Sequence, residues 1–307
     1  MTRPLEIAIV NNMPDAALAA TNLQFSRLVR KGARGRVYRW RCYTLPGLPR
    51  GDDARRYLAR GHEDIEALYR RGADALIVTG CEPRAARLSD EPYWPHIARL
   101  VDWARHHTIS TVWSCLAAHA AVLHLAGVER VPAAKKVSGV YRFRRFDADW
   151  ALHDSAEVVV PHSRYNGLPR QELERHGFYI GSSAAKVGVD MFWRAEPSLF
   201  VFLQGHPEYD ADSLLREYRR DVIRFLDGQR TDYPAIPENF FSASTREKLK
   251  LLEAAIERRT EANATARLAE ILANEQCVAS WSDGAVKLFR DWLTTVVERA
   301  GDRRESA

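Results

Sequence analysis

Hydrophobic positions fall into two regimes along the chain. Through about residue 130, short apolar runs ending in small or polar residues alternate with segments of helical period. LEIAIVNN, Leu5 to Asn12, is the first run. Its continuous apolar character is that of a strand buried on both faces. A helix is predicted around Ala17 to Arg30. RVYRWRCYTL alternates and is rich in aromatic and β-branched residues, which predicts a second strand. HEDIEALYRR reads as an amphipathic helix, and ADALIVTG, Ala73 to Gly80, as a third buried strand stopped by Gly80. YWPHIARLVDWARHH is helical, ISTVWSCL is a fourth strand, and AAHAAVLHLAG is a helix ending at Gly127.

From Val137 the spacing changes. VSGVYRFRRF, AEVVVPHSRY, HGFYIGSS, VGVDMFWRA and LFVFLQGHPEYD read as strands with short connections. A helix then runs from Asp210 to a glycine cap at Gly228. The charged stretch from Ser242 to about Glu275 has helical period, a last helix lies near Gly284 to Ala300, and GDRRESA is a loose tail. Strand and helix alternating at this spacing predict a doubly wound, mostly parallel, flavodoxin-like α/β sheet flanked by helices. Residues 1–235 form the α/β domain, and residues 236–307 a helical C-terminal extension packing on it. In such folds ligands bind beyond the carboxyl ends of the strands. Cys81 and Cys115 both fall there.

The composition adds exclusions. The chain has 307 residues, 46% hydrophobic and 28% charged, as expected of a globular enzyme. The net charge of +5 comes from scattered residues, which argues against nucleic acid. Cys42, Cys81, Cys115 and Cys277 show no C-x-x-C spacing, so neither a metal site nor a disulfide framework is expected. No apolar run reaches membrane-spanning length and the start shows no signal-peptide pattern, which points to a cytoplasmic protein.

Cys115 is the strongest chemical candidate. It stands between a strand and a helix, where the helix N-terminus favours a thiolate and backbone N–H groups can hold an oxyanion. On position alone, a small buried hydrophobe is an equal alternative. GHPEYD shifts the balance. His206 ends an apolar strand, and Glu208 can turn back to fix its tautomer, leaving the other ring nitrogen for the thiol proton. Cys115, His206 and Glu208 thus make a triad by role. His119, four residues after Cys115, shares its helix face but has nothing nearby to orient it.

The segments RPLEIAIVNNMPD, DALIVTG…EPYW, TVWSCLAAHAAVLHLAGV, KKVSGVY, VVPHSRY and GHPEYDADSLLREYRRDV occur in order, and SWSDGAVKLFRDWL follows near the end. Together they resemble the homoserine O-succinyltransferase and O-acetyltransferase family, whose fold is like that of the class I glutamine amidotransferases. The resemblance covers about Arg3 to Gly228. It implies a ping-pong acyl transfer from acyl-CoA to the homoserine hydroxyl, in methionine biosynthesis, with acyl-CoA as co-substrate and no bound cofactor or metal. It also implies Cys115 as acyl carrier, His206 as general base and Glu208 as its partner. Lys136 and Ser163 match substrate-site positions, and Arg220 matches a residue binding the amino-acid carboxylate. Without the resemblance these three read as a surface charge, a strand-end cap and a solvated helix charge.

Departures from the family mark this chain. Its N-terminal segment before RPLEI is nearly absent, which bears on the dimer contacts, so a homodimer stays an open expectation. The position that separates acyl donors falls on Arg84, which suits a dicarboxylic acyl group such as succinyl over acetyl, or else points to solvent or marks another donor or acceptor. Leu116 and His119 replace a usual tryptophan and glutamine. The stretch 242–275 is longer than the family needs. Two rival functions use the same scaffold: a class I glutamine amidotransferase, whose elbow normally carries glycines where this chain has W-S-C-L-A, and a non-catalytic binding protein.

Overall fold

The computed structural model describes residues 3–146, 156–195, 197–258, 260–261 and 263–305. The first half forms β1 (Leu5–Val10), α1 (Asp15–Ala33), β2 (Tyr38–Thr44), α2 (Asp52–Gly61), β3 (His62–Asp64), α3 (Ile65–Arg71), β4 (Ala75–Thr79), α4 (Trp94–His107), β5 (Ser110–Ser114) and α5 (Leu116–Ala126). The second half forms β6 (Val131–Arg145), β7 (Glu157–Gly167), α6 (Arg170–Arg175), β8 (Tyr179–Ile180), β9 (Ser182–Ala184), β10 (Gly188–Val189), β11 (Met191–Arg194), β12 (Leu199–Leu203), α7 (Ser213–Leu226), α8 (Ala243–Glu257), α9 (Ala264–Ala273) and α10 (Ser282–Glu305).

The main sheet has eight strands in the order β3-β2-β1-β4-β5-β12-β11-β8. It is parallel from β3 to β12, and β11 and β8 add antiparallel strands at one edge. This is the doubly wound sheet the sequence predicts. Its strand order reverses at β1, and its central strands are buried on both faces, which is why they read as unbroken apolar runs. Ala8, Val10, Leu76, Val78, Trp113 and Phe202 face the layer of α4 and α5. Ile7, Ile9, Ile77, Val112 and Val201 face α1 and α10, where Phe25, Phe289 and Trp292 close the core. A second, four-stranded antiparallel sheet has the order β10-β9-β6-β7. The long hairpin of β6 and β7 carries a register shift between Pro132 and Val137, a bulge that contains Lys136.

Three details differ from the sequence reading. HEDIEALYRR opens with the short edge strand β3 before its helix, and α2 precedes it unpredicted. Ala54 is the only buried residue of α2, so its hydrophobic pattern is nearly silent. The charged stretch 242–275 is two helices, α8 and α9, because residues 257–263 offer only Ala262 as an apolar side chain. Both pack with α7 through Tyr218, Val222, Leu249, Leu252, Leu268 and Ile271. α10 continues to Glu305, so most of the tail expected to be loose is helical.

Candidate active site

Cys115 sits at the elbow between β5 and α5, with φ 52° and ψ −115°. A non-glycine residue pays for such a backbone in strain, which is typical of residues held for chemistry. Its own N–H donates to Leu203 O at 2.7 Å, tying the elbow to the end of β12. Cys115 and Leu116 are partly exposed while their neighbours on both sides are buried. As the first residue of α5, Leu116 presents an amide with no acceptor inside its helix. Room for the elbow comes from the next strand. A Cβ on Gly80 would stand 2.4 Å from Leu116 Cβ and 2.8 Å from Ala117 N. Glycine here lets the chain leaving β4 lie directly against the start of α5.

His206 arrives from β12, the neighbour of β5 on the other side. Its Nδ1 is 2.8 Å from Glu208 Oε1, and both side chains are buried. Burial alone would push the ring's pKa down, but the neighbouring Cys115 and Glu208 raise it well above the ordinary value. Tyr209 stacks on His206 with centroids 4.2 Å apart. Burial, reinforced by Glu217, raises the Tyr209 phenol far above its usual range, so it stays a donor and gives a 2.5 Å hydrogen bond to Glu217 Oε1.

The strand end that carries His206 is itself clamped. Gln204 N donates to Asp190 O at 2.9 Å, Gly205 N to Asp190 Oδ1 at 3.2 Å, and His206 N to Pro161 O at 2.9 Å. His162 Nε2 stands 3.1 Å from Asp190 Oδ1, though not aligned as a hydrogen bond, and its Nδ1 accepts from Arg164 Nε at 3.2 Å. Burial lowers the His162 pKa despite Asp190, so this ring is neutral.

The remaining candidates gather on one side of this triad. Lys136 Nζ is 2.8 Å from Asp221 Oδ2, and Arg220 Nη2 is 2.8 Å from Asp221 Oδ1. Burial would raise the Asp221 pKa, but Lys136 and Arg220 outweigh it and hold the carboxyl below its ordinary value. Ser163 Oγ donates to Glu217 Oε2. Glu217, Arg220 and Asp221 lie on one face of α7, so Lys136 and Ser163 both meet the helix that carries Arg220. The side chain of Arg84 is exposed, and its backbone N–H and that of Ala85 donate to Glu91 Oε1. His119 points inward instead, 2.9 Å from Gln204 Oε1. Burial lowers its pKa to about 4, so it is a neutral core residue. Glu217, Asp221 and Asp190 carry no local signal in the sequence, and Gly80 reads as a strand stop at the ligand-binding end of the sheet, with nothing to show its contact with Leu116.

A cavity of about 290 Å³ lined by Arg145, Trp281 and Lys287 touches none of these residues. Among the described residues no group of His, Cys, Asp and Glu is placed to hold a metal ion, and no helix is long and apolar enough to cross a membrane.

A family model described as homoserine O-succinyltransferase matches residues 1–301. A homoserine O-succinyltransferase of Bradyrhizobium japonicum is 46% identical over 291 residues, covering 94% of this chain and 89% of its own. Another, from Rhodopseudomonas palustris, is 45% identical over 295 residues, covering 96% and 89%. Among solved structures, SMU.1228c superposes with a TM-score of 0.51 at 15% identity, covering 95% of this chain and 99% of its own. That last likeness speaks of the fold alone.

Proposed function

The chain belongs to the homoserine O-succinyltransferase family, and on that premise we propose that it moves a succinyl group from succinyl-CoA to the side-chain hydroxyl of L-homoserine, by way of a thioester on Cys115, as a step of methionine biosynthesis. The protein is an acyl-CoA-dependent homoserine O-acyltransferase, and the succinyl donor is the finer part of this reading.

The observation that carries the mechanism is the Cys115–His206–Glu208 arrangement. Glu208 accepts a hydrogen bond from Nδ1–H, which leaves Nε2 of His206 for the thiol proton. With its pKa raised, the ring takes the thiol proton through Nε2, leaving a thiolate. The thiolate attacks the acyl carbon of the donor, and the Leu116 amide faces the oxyanion that forms. Collapse breaks the bond to the CoA sulfur, which takes the proton from His206 Nε2. The donor's thioester is exchanged for another, so this half-reaction is close to balanced. The neutral ring then takes the proton of the homoserine hydroxyl as its oxygen attacks the Cys115 thioester. Collapse releases the ester and restores the thiolate beside the imidazolium. Arg220 suits the α-carboxylate of the acceptor as a fork. Lys136 and Ser163 line the same subsite, one through Asp221 and the other through Glu217.

The test is intact-protein mass spectrometry after mixing with succinyl-CoA or acetyl-CoA and no acceptor. One succinyl group gained by the protein, absent in Cys115→Ala and discharged by homoserine, is the expected result. Turnover retained in Cys115→Ala would overturn the mechanism, and an adduct only from acetyl-CoA would overturn the donor.

A further inference from the structure

Arg50 lies on the loop between β2 and α2, over the carboxyl end of β1. Its side chain is only 8% exposed. One terminal nitrogen, Nη1, is engaged, donating to Met13 O at 2.5 Å and to Asp15 Oδ1 at 3.1 Å. Asp15 is fixed in turn by the Gly51 amide at 2.8 Å. The other edge of the guanidinium, Nε with Nη2, is covered by protein and has no hydrogen-bond partner. A buried cation with two unmet donors on one edge is costly unless something arrives to accept from them. That edge has the spacing of a carboxylate, which it receives through two parallel hydrogen bonds.

The position suits the reacting sulfur. Arg50 acts electrostatically on Cys81, where burial lifts the thiol to about 11 and the guanidinium pulls the other way. Cys81 follows Gly80, whose backbone lies against Leu116 beside the nucleophile. Strand order runs β1-β4-β5, so the end of β1 is two strand spacings, about 10 Å, from the end of β5. A succinyl chain, its thioester bond to Cys115 and one hydrogen bond together span about 9 Å. An acetyl group ends about 4 Å short of where the succinyl carboxylate would lie, with no acceptor to offer.

We propose that the Nε–Nη2 edge of Arg50 receives the terminal carboxylate of the acyl group, which makes Arg50 the residue that selects a dicarboxylic donor. This rests on the reading of Cys115 as acyl carrier. Arg84, at the position suggested by resemblance, is exposed and offers no buried fork. The carboxylate settles where a charge is already desolvated, so its two hydrogen bonds form against little competition from water.

The experiment compares succinyl-CoA with butyryl-CoA, which matches it in length and lacks the carboxylate. In Arg50→Met the ratio of kcat/KM for succinyl-CoA to that for butyryl-CoA falls by about 100-fold. Arg50→Lys, which keeps the charge and loses the fork, falls between the variant and the parent. Butyryl transfer in the same preparation reports that the variant is folded. Should Arg50→Met not fold, Arg50→Lys is the variant read, and an unchanged ratio there overturns the proposal. Equal losses with both donors also overturn it, assigning Arg50 to the CoA phosphates or to stability. A parent protein that forms no Cys115 adduct with either donor refutes the acyltransferase mechanism itself and the proposal with it.

Discussion

His206 and Glu208 hydrogen-bond to each other across a single proline, with Nδ1 and Oε1 2.8 Å apart. Pro207 occupies the second position of a turn closed by Tyr209 N–H donating to His206 O at 3.2 Å. Its fixed φ suits that place. The turn folds the Glu208 carboxylate back onto the ring two residues before it.

Glu208→Gln should therefore be a severe variant despite its similar shape. An amide can donate to Nδ1 and so favour the tautomer that puts a proton on Nε2 facing the sulfur. A loss in kcat of about 100-fold or more is expected, with little change in the KM for homoserine. Steady-state kinetics together with thermal melting decide the matter, and a variant with wild-type kcat would remove Glu208 from the mechanism.

Gly80 faces a different constraint. A methyl group there would collide with Leu116 Cβ and with the backbone nitrogen of Ala117, neither of which is the free end of a flexible side chain. Gly80→Ala should cost about 1–3 kcal/mol in denaturant unfolding and should slow Cys115 acylation, because the elbow must move to admit it. Normal acylation by a destabilised variant would show that the close approach serves only the fold.

His119 makes the acid response of the fold readable. Its folded pKa of about 4 lies below the ordinary 6.5, so the unfolded chain binds the proton first as pH falls. Stability is thus lost between pH 6.5 and 4, by about 3 kcal/mol from this residue. His162, also lowered, acts in the same direction. His119→Gln should unfold at lower pH than the parent while keeping its turnover, since a glutamine amide can still reach Gln204. Urea titrations at pH 7 and pH 5 provide the comparison, and an unchanged difference between them would count against the buried neutral ring.

The proposed triad can be read from the sequence because its members stand at strand ends, where apolar runs stop and the chemistry of a parallel sheet collects. The central strands β1, β4, β5 and β12 were legible for a related reason, being buried on both faces. What stayed hidden depends on distant segments meeting. Asp221 is an unremarkable acid on a charged helix until Lys136 arrives from the β6 bulge. Arg50 is one of many scattered basic residues until the loop after β2 carries it over β1. The division of 242–275 into two helices was hidden as well, because charged residues keep a helical period where no apolar side chain anchors it.

Cys115 and His206, the proposed nucleophile and base, descend from the parallel sheet, whereas Lys136 and Ser163 descend from the antiparallel one, and the two sheets meet at His206 N–H and Pro161 O. On the proposed mechanism the acceptor subsite thus draws on a second scaffold, while Cys115 and His206 serve both half-reactions. The β6–β7 hairpin can diverge to suit another hydroxylated amino acid while the acyl-carrying elbow stays as it is, and the loops over β1 and β4 can change donor without disturbing the acceptor. Inheritance can alter one partner at a time.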